Sequence, residues 1–117
     1  MQKESITNRN KNGSLTLNEN IVDNCGIKLA HTAYMKYLNT TDDEQEHVPA
    51  FKKFTKEQLF FISVGRSFCK YSNKDYLETT INKDVHSPSE IRINMVLSNY
   101  RQFFDVFNCP VNSKMNL

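Results

Sequence analysis

Three times along this chain a Ser or Thr stands three residues ahead of a Glu or Gln, just before a run of apolar residues. The pairs are Thr16 with Glu19 in "TLNE", Thr55 with Gln58 in "TKEQ", and Ser87 with Glu90 in "SPSE". At this spacing the hydroxyl can accept from the third helical N–H while the acid or amide reaches back to the cap. Two of the donors that a helix start leaves unpaired are then satisfied. The feature commits most of the chain to helix. After the first start, apolar or small residues recur at Ile21, Val22, Cys25, Leu29, Ala33, Tyr34 and Tyr37, which predicts a helix with one buried face over about 17 to 38.

The second start predicts a helix over about 56 to 70, with Phe54 and Leu59 at the positions of a hydrophobic staple. Its apolar residues, Leu59 to Ile62, Val64, Phe68 and Cys69, are too many for one face, so it is expected to be enclosed on most sides. The third start adds Pro88 at the first helical position, where the missing N–H is no loss, and predicts a helix over about 88 to 98. Short helices are expected near 75 to 81 and over about 100 to 107. "NTTDDEQEHVPAFKKF" reads as a charged loop closed by Pro49. No strand alternation or internal repeat competes with these elements, so the expected class is all-α.

With 117 residues the chain suits one domain and can bury roughly two thirds of the surface its unfolded form exposes. Residues 1 to about 14 hold almost no apolar groups to offset the entropy of ordering, and read as a disordered or linking polar arm. Residues 15–117 hold the rest. The 15 Lys and Arg against 13 Asp and Glu leave a net charge of +2, too weak a field for nucleic acid as a primary partner. The longest apolar run, "LFFISVG", falls far short of the ~18 residues a membrane segment needs. The polar N-terminus lacks the apolar core of a secretory signal.

Complete catalytic motifs are missing from these residues: H-E-x-x-H, a P-loop and G-x-S-x-G do not occur, and His31, His47 and His86 are widely spaced. Two constellations stand out. Glu19 and Asp23 lie four residues apart and share a helix face, which suits one carboxylate that binds a cation and another that steers a neighbouring ligand. From the pattern alone they suit better a cap and a solvated acid, since first turns of helices favour acidic residues. "DVHSPSEIR" sets His86 and Asp84 just ahead of a rigid helix start and Arg92 on that helix. This could aim donors at an oxyanion or carbonyl, or be a surface loop with a capped helix. The aromatics Phe60, Phe61, Phe103, Phe104 and Phe107, at helical spacing, are read as core packing.

The blocks "NGSLTLNENIVDNCGIKLAHTAY", "FTKEQLFFISVGRSFCKY", "DVHSPSEIRINMVLSNYRQFFDVFNCP" and "NSKMN" follow the order found at the C-terminal end of the neprilysin family of zinc metallopeptidases, which includes the endothelin-converting enzymes. The resemblance covers nearly everything from Asn12 onward. It implies the C-terminal helical part of a zincin-type metallopeptidase domain, acting on peptide substrates at the cell surface or outside the cell. By the same resemblance Glu19 is the third protein ligand of the zinc, and Asp23 holds a zinc-binding His in its correct tautomer. His86 steadies the oxyanion, Asp84 orients His86, and Arg92 binds a substrate backbone carbonyl. In such an enzyme zinc lowers the pKa of its water, an upstream Glu takes the proton, and the hydroxide attacks the peptide carbonyl.

The departures are specific. The family's H-E-x-x-H, which carries two zinc ligands and the general base, lies upstream of Glu19 and is not within these residues, so the isolated chain is expected to be an inactive fragment with an incomplete zinc site. The upstream remainder of the peptidase is the implied partner. Asn18, Val22 and Cys25 replace the family's Gly, Ala and Gly, and the C-terminal C-x-x-W is not reached. The three cysteines are an odd count. The resemblance pairs Cys69 and Cys109 with upstream half-cystines, and Cys25 reads as a small buried residue. Two sequons, Asn12-Gly13-Ser14 and Asn39-Thr40-Thr41, fit an extracellular setting. The alternatives are a non-catalytic helical protein that binds peptides or a partner, and a truncated product without function.

Overall fold

The computed structural model describes residues 3–40 and 52–116, and the charged loop with His47 and Pro49 lies outside them. Five helices follow in order: α1 (Leu17–Thr40), α2 (Lys56–Ser67), α3 (Lys74–Thr80), α4 (Ser89–Ser98) and α5 (Arg101–Phe107). The class is all-α, and the only β pairing among the described residues is two isolated bridges, Lys3 with Asn10 and Ser113 with Asn116. Among the described residues no helix is long and apolar enough to cross a membrane.

Local chemistry explains where α2 and α3 begin. At α2 the expected capping box forms in full: the Gln58 N–H donates to Thr55 Oγ1 at 3.0 Å and the Thr55 N–H donates to Gln58 Oε1 at 2.9 Å. Asn73 caps α3 by accepting from the Tyr76 N–H at 2.8 Å. The other two boxes do not form. The Thr16 hydroxyl is engaged by the Asn20 amide and donates to the Asn12 carbonyl, leaving the Glu19 carboxylate free to reach across to His86. At α4 Pro88 itself is the N-cap, without a side-chain hydrogen bond. Glu90 has instead been recruited by Ser5, whose Oγ donates to Glu90 Oε2 at 2.6 Å.

The core gathers where α1, α2, α4 and α5 meet. Phe61 is 1% exposed and is joined by Ile27, Val96, Leu97 and Tyr100, with Phe60, Val64, Ile93, Phe103 and Phe107 packed around them. The expectation of aromatic packing holds for this set: the Phe61 ring lies 5.5 Å from Phe103 and 6.4 Å from Phe107 in edge-on contacts. Fully burying one such ring contributes about 2–3 kcal/mol. However, α2 is not enclosed on most sides. Phe61 is its one buried residue and Ile62 is exposed, because its neighbours cover one flank.

On α1 the helix is where the periodicity places it, but the face turned inward differs. Leu17, Ile21, Val22 and Leu29 are exposed, as is Cys25, which is therefore not the small buried residue expected. The inward stripe runs through Thr16, Asn20, Asp23, Asn24, Ile27, His31 and Tyr34. Its polar members each find a partner: Asp23 meets Arg92, Asn24 meets Asn99, and His31 meets Tyr100 and Glu57. Paired polar groups can face a core as well as apolar ones do, and a pattern built on apolar residues alone does not register them. All three cysteines carry free thiols.

The segment before α1 also departs from the expected disordered arm, for an equally polar reason. Residues 3–10 close on themselves through the Glu4 N–H to the Arg9 carbonyl and the Asn8 N–H to the Glu4 carbonyl, with Asn8 at φ 57°. The Glu4 carboxylate, 2% exposed, accepts from the N–H groups of Ile6 and Thr7 and from the Thr7 hydroxyl. Hydrogen bonds, not apolar burial, order this loop against the start of α4.

Candidate active site

Glu19 and Asp23 leave the first turns of α1 on one face, as their spacing requires. The chain then needs some sixty residues to bring anything opposite them. At the end of α3 the Thr80 carbonyl accepts from the N–H groups of both Lys83 and Asp84, which turns the chain into the bend that carries Asp84, Val85 and His86. Pro88 starts α4, and Arg92 stands on its first turn, facing α1. All five residues singled out from the sequence come together here.

They meet as two linked groups. His86 lies between carboxylates, with Nε2 3.1 Å from Glu19 Oε2 and Nδ1 3.2 Å from Asp84 Oδ1. The same Asp84 oxygen accepts the His86 backbone N–H at 2.8 Å. That backbone bond first, opposed by partial burial and aided by the ring, holds the Asp84 carboxyl below its ordinary range. A carboxylate can only accept, so Asp84 takes a proton carried on Nδ1 and Glu19 one carried on Nε2. Beside this group, Arg92 donates from Nε to Asp23 Oδ2 at 2.7 Å and from Nη2 to Asp23 Oδ1 at 2.6 Å. The Asp23 bonds push the guanidinium above its usual range against the opposing effect of burial. Both oxygens of Asp23 are thus engaged by Arg92, a partner the sequence did not indicate for it.

Two contributors escaped the sequence reading. The Arg92 guanidinium sits over the Phe68 ring at 5.2 Å, a cation–π contact for which a lone aromatic at a helix end gave no signal. Lys11, in the segment taken for an arm, is buried and donates from Nζ to the Asp84 carbonyl at 2.6 Å. A cavity of about 370 Å³ opens beside the group, walled by Ile6, Tyr76, Leu77 and Pro88 and edged by His86 and Arg92.

Glu19 offers a partly exposed carboxylate to any cation arriving from outside. Among the described residues, though, no three His, Cys, Asp or Glu side chains form a group that could hold a metal. A tetrahedral zinc site takes three protein ligands or more, so these residues do not make a complete one by themselves. What the arrangement does offer is a fixed imidazole and a fixed guanidinium, side by side, next to an open cavity.

Residues 1–117 match the model of Peptidase family M13. Neprilysin-1 of Caenorhabditis elegans is 40% identical over 105 residues, which cover 90% of this chain and 14% of that protein. Neprilysin-2 of Drosophila melanogaster is 38% identical over 117 residues, covering 97% of the chain and 14% of its own length. The endothelin-converting enzyme homolog of Locusta migratoria is 37% identical over 112 residues, covering 96% and 15%. The chain thus spans about a seventh of the length of the curated relatives it matches, and it belongs to peptidase family M13.

Proposed function

We propose that this chain is the substrate-facing and zinc-completing segment of a metalloendopeptidase, working with residues elsewhere in a longer peptidase chain that carries H-E-x-x-H. The observation that carries this reading is the meeting of Glu19 and Asp23 with Asp84, His86 and Arg92, residues that are distant in sequence. Zinc held by a complete ligand set supplies a bound water of lowered pKa. Within this segment, Glu19 contributes one ligand. His86, with Nδ1 held by Asp84 and the ring protonated on both nitrogens, can turn its Nε2–H from Glu19, once that carboxylate serves the metal, toward the oxyanion that forms when a peptide carbonyl is attacked. Arg92 has five N–H donors and spends two on Asp23, so the rest can hold a backbone carbonyl of the bound peptide. Asp23 keeps Arg92 in place, and its remaining lone pairs can still accept from a zinc-binding imidazole.

The exposed stripe of Leu17, Ile21, Val22 and Leu29 supports packing of α1 against the remainder of the peptidase. It would serve equally a segment that binds a partner without catalysis, the second reading. The setting proposed is extracellular or at the cell surface, and the 117-residue chain alone is proposed to be inactive.

The deciding experiment uses the peptidase chain that includes H-E-x-x-H, with bound zinc, kcat and KM measured for each variant. Glu19→Ala is expected to lose both zinc and turnover. His86→Ala should keep zinc and lower kcat by roughly a hundredfold or more, because it acts on charge present only in the transition state. Arg92→Ala should chiefly raise KM. Asp23→Ala should weaken metal affinity or activity by roughly 10- to 100-fold. Full zinc and wild-type turnover in Glu19→Ala would overturn the reading, as would chelator-sensitive peptide cleavage by the isolated segment for its inactivity.

A further inference from the structure

Apart from the contact of its Nε2 with Glu19 at 3.1 Å, His86 is only as well aimed as the bend that carries it, and that bend is half-exposed: Val85 is 46% exposed, and so is the His86 side chain. Residue 84 is the point at which it is fixed. The Asp84 N–H donates to the Thr80 carbonyl at 2.9 Å, and its carboxylate takes the His86 backbone and ring. Both ties are local, within four residues. They would let the bend pivot as a unit on the end of α3. The third tie is not local: Lys11, 73 residues away in sequence, donates from Nζ to the Asp84 carbonyl at 2.6 Å.

We infer that Lys11 is a positioning residue for His86, fixing the peptide plane at Asp84 and through it the direction of the imidazole. The inference rests on the reading of His86 as the oxyanion donor. Three observations point the same way. Lys11 is 6% exposed, and an ammonium is not taken out of water without a specific partner. Burial presses its pKa down while the nearby Asp84 charge acts to raise it, so the amine is held in place at a cost that a solvated lysine would avoid. The loop that delivers it is itself fastened, through the Glu4 turn and through Ser5 on Glu90. Lys11 therefore reaches the bend from a fixed base on α4 and not from a loose tail. Its effect on catalysis passes through Asp84, whose carbonyl it touches and whose carboxylate feels its charge, since it touches neither the ring nor the cavity.

The test is made in the peptidase chain that includes H-E-x-x-H. Lys11→Met keeps the apolar stem and removes the donor. It is expected to lower kcat by about 10- to 100-fold, the loss that misplacement by about an ångström brings, with KM and bound zinc unchanged. Lys11→Arg should recover most of the loss. Ser5→Ala loosens the base from which Lys11 reaches the bend and should lower kcat in the same direction but by less than Lys11→Met, again with KM and bound zinc unchanged. The decisive comparison adds Lys11→Met to His86→Ala: a residue that acts through His86 causes no further loss there, whereas a merely structural residue multiplies the damage. If Lys11→Met does not fold, Lys11→Gln, too short to reach the carbonyl, serves in its place. A second readout needs no turnover. In the 117-residue chain an amine-acylating reagent followed by peptide mapping should label Lys11 well after the exposed Lys28 and Lys36. Wild-type kcat in Lys11→Met, multiplied losses in the double variant, or Lys11 labelling as fast as Lys28 would each overturn the inference. Wild-type kcat in His86→Ala would instead fail the reading beneath it.

Discussion

Asp23→Asn is the smallest change that tests whether α1 and α4 are clamped by charge. It keeps the size of the side chain, removes the charge, and replaces one of the two acceptors facing Arg92 with an amide that can only donate. In the native pair both bonds are short, 2.6 and 2.7 Å, with the Asp23 side chain 12% exposed and that of Arg92 25%. A hydrogen bond to a charged group contributes about 1.5–3 kcal/mol, and stranding one member of a fully buried pair costs about 3–5 kcal/mol. Arg92 would not be fully stranded. A quarter of it still meets water, and its guanidinium keeps the Phe68 face at 5.2 Å. The loss to expect is therefore about 2 kcal/mol, discounted for that exposure. In urea, with a slope of about 1–2 kcal/mol per molar, the midpoint should fall by about 1–2 M. Combining Asp23→Asn with Arg92→Met in a double-mutant cycle should give a coupling of about 1.5–2 kcal/mol, most of which survives added salt because the pair is largely shielded. A coupling below about 0.5 kcal/mol would refute the clamp and leave α1 held by Ile27 and its neighbours alone.

Tyr100→Phe removes the hydroxyl hydrogen-bonded to His31 Nδ1 at 3.0 Å in a nearly closed setting, and should cost about 1–3 kcal/mol by thermal or chemical denaturation; an unchanged midpoint would show that water replaces it. Ile27→Ala should cost about 2–4 kcal/mol while Leu29→Ala stays within about 0.5, and the reverse order would mean that α1 turns its other face inward. The Glu4 carboxyl is pushed up by burial but carried below its ordinary range by the Ile6 and Thr7 N–H groups and the Thr7 hydroxyl. A carboxyl with a depressed folded pKa contributes stability above its unfolded value and loses it as pH falls through the folded one. The loop of residues 3–11 should therefore loosen in acid below about pH 4, seen as loss of the Ile6 and Thr7 amide signals while the Phe61 ring signals persist. Glu4→Gln should remove that pH dependence, and a loop that stays ordered down to pH 2 would refute the account.

Helices were legible in this sequence where local chemistry decides them. "TKEQ" forms its box because Gln58 can serve two partners at once, its Oε1 accepting from the Thr55 N–H while its Nε2 donates to the Val106 carbonyl, and α3 and α5 fall within a residue or two of their expected limits. "TLNE" and "SPSE" carry the same signal, yet Glu19 and Glu90 are drawn off by His86 and Ser5, partners that only the folded chain supplies. The same limit applies to the inward face of α1. Its anchors are Asp23 and His31, and periodicity counted on apolar residues selects the opposite stripe. For the candidate site, spacing supplied Glu19 with Asp23 and the order of blocks supplied Asp84, His86 and Arg92. The pairing of Asp23 with Arg92, the Phe68 ring and Lys11 depend on contacts between residues too far apart in sequence to leave a pattern.

Both principal ties of α1, Asp23 to Arg92 and His31 to Tyr100, join residues 69 apart. On a ribosome adding about 5–20 residues per second, α1 leaves the exit tunnel roughly 3–14 s before its partners do. During that wait an apolar inward face would be an invitation to misassembly. Asn20, Asp23, Asn24 and His31 can instead remain hydrated until Arg92 and Tyr100 arrive, exchanging water for their final partners late and reversibly. The stripe that needs shelter in the meantime is the other one, Leu17 to Leu29, and the nascent chain is most vulnerable there to whatever apolar surface it first encounters.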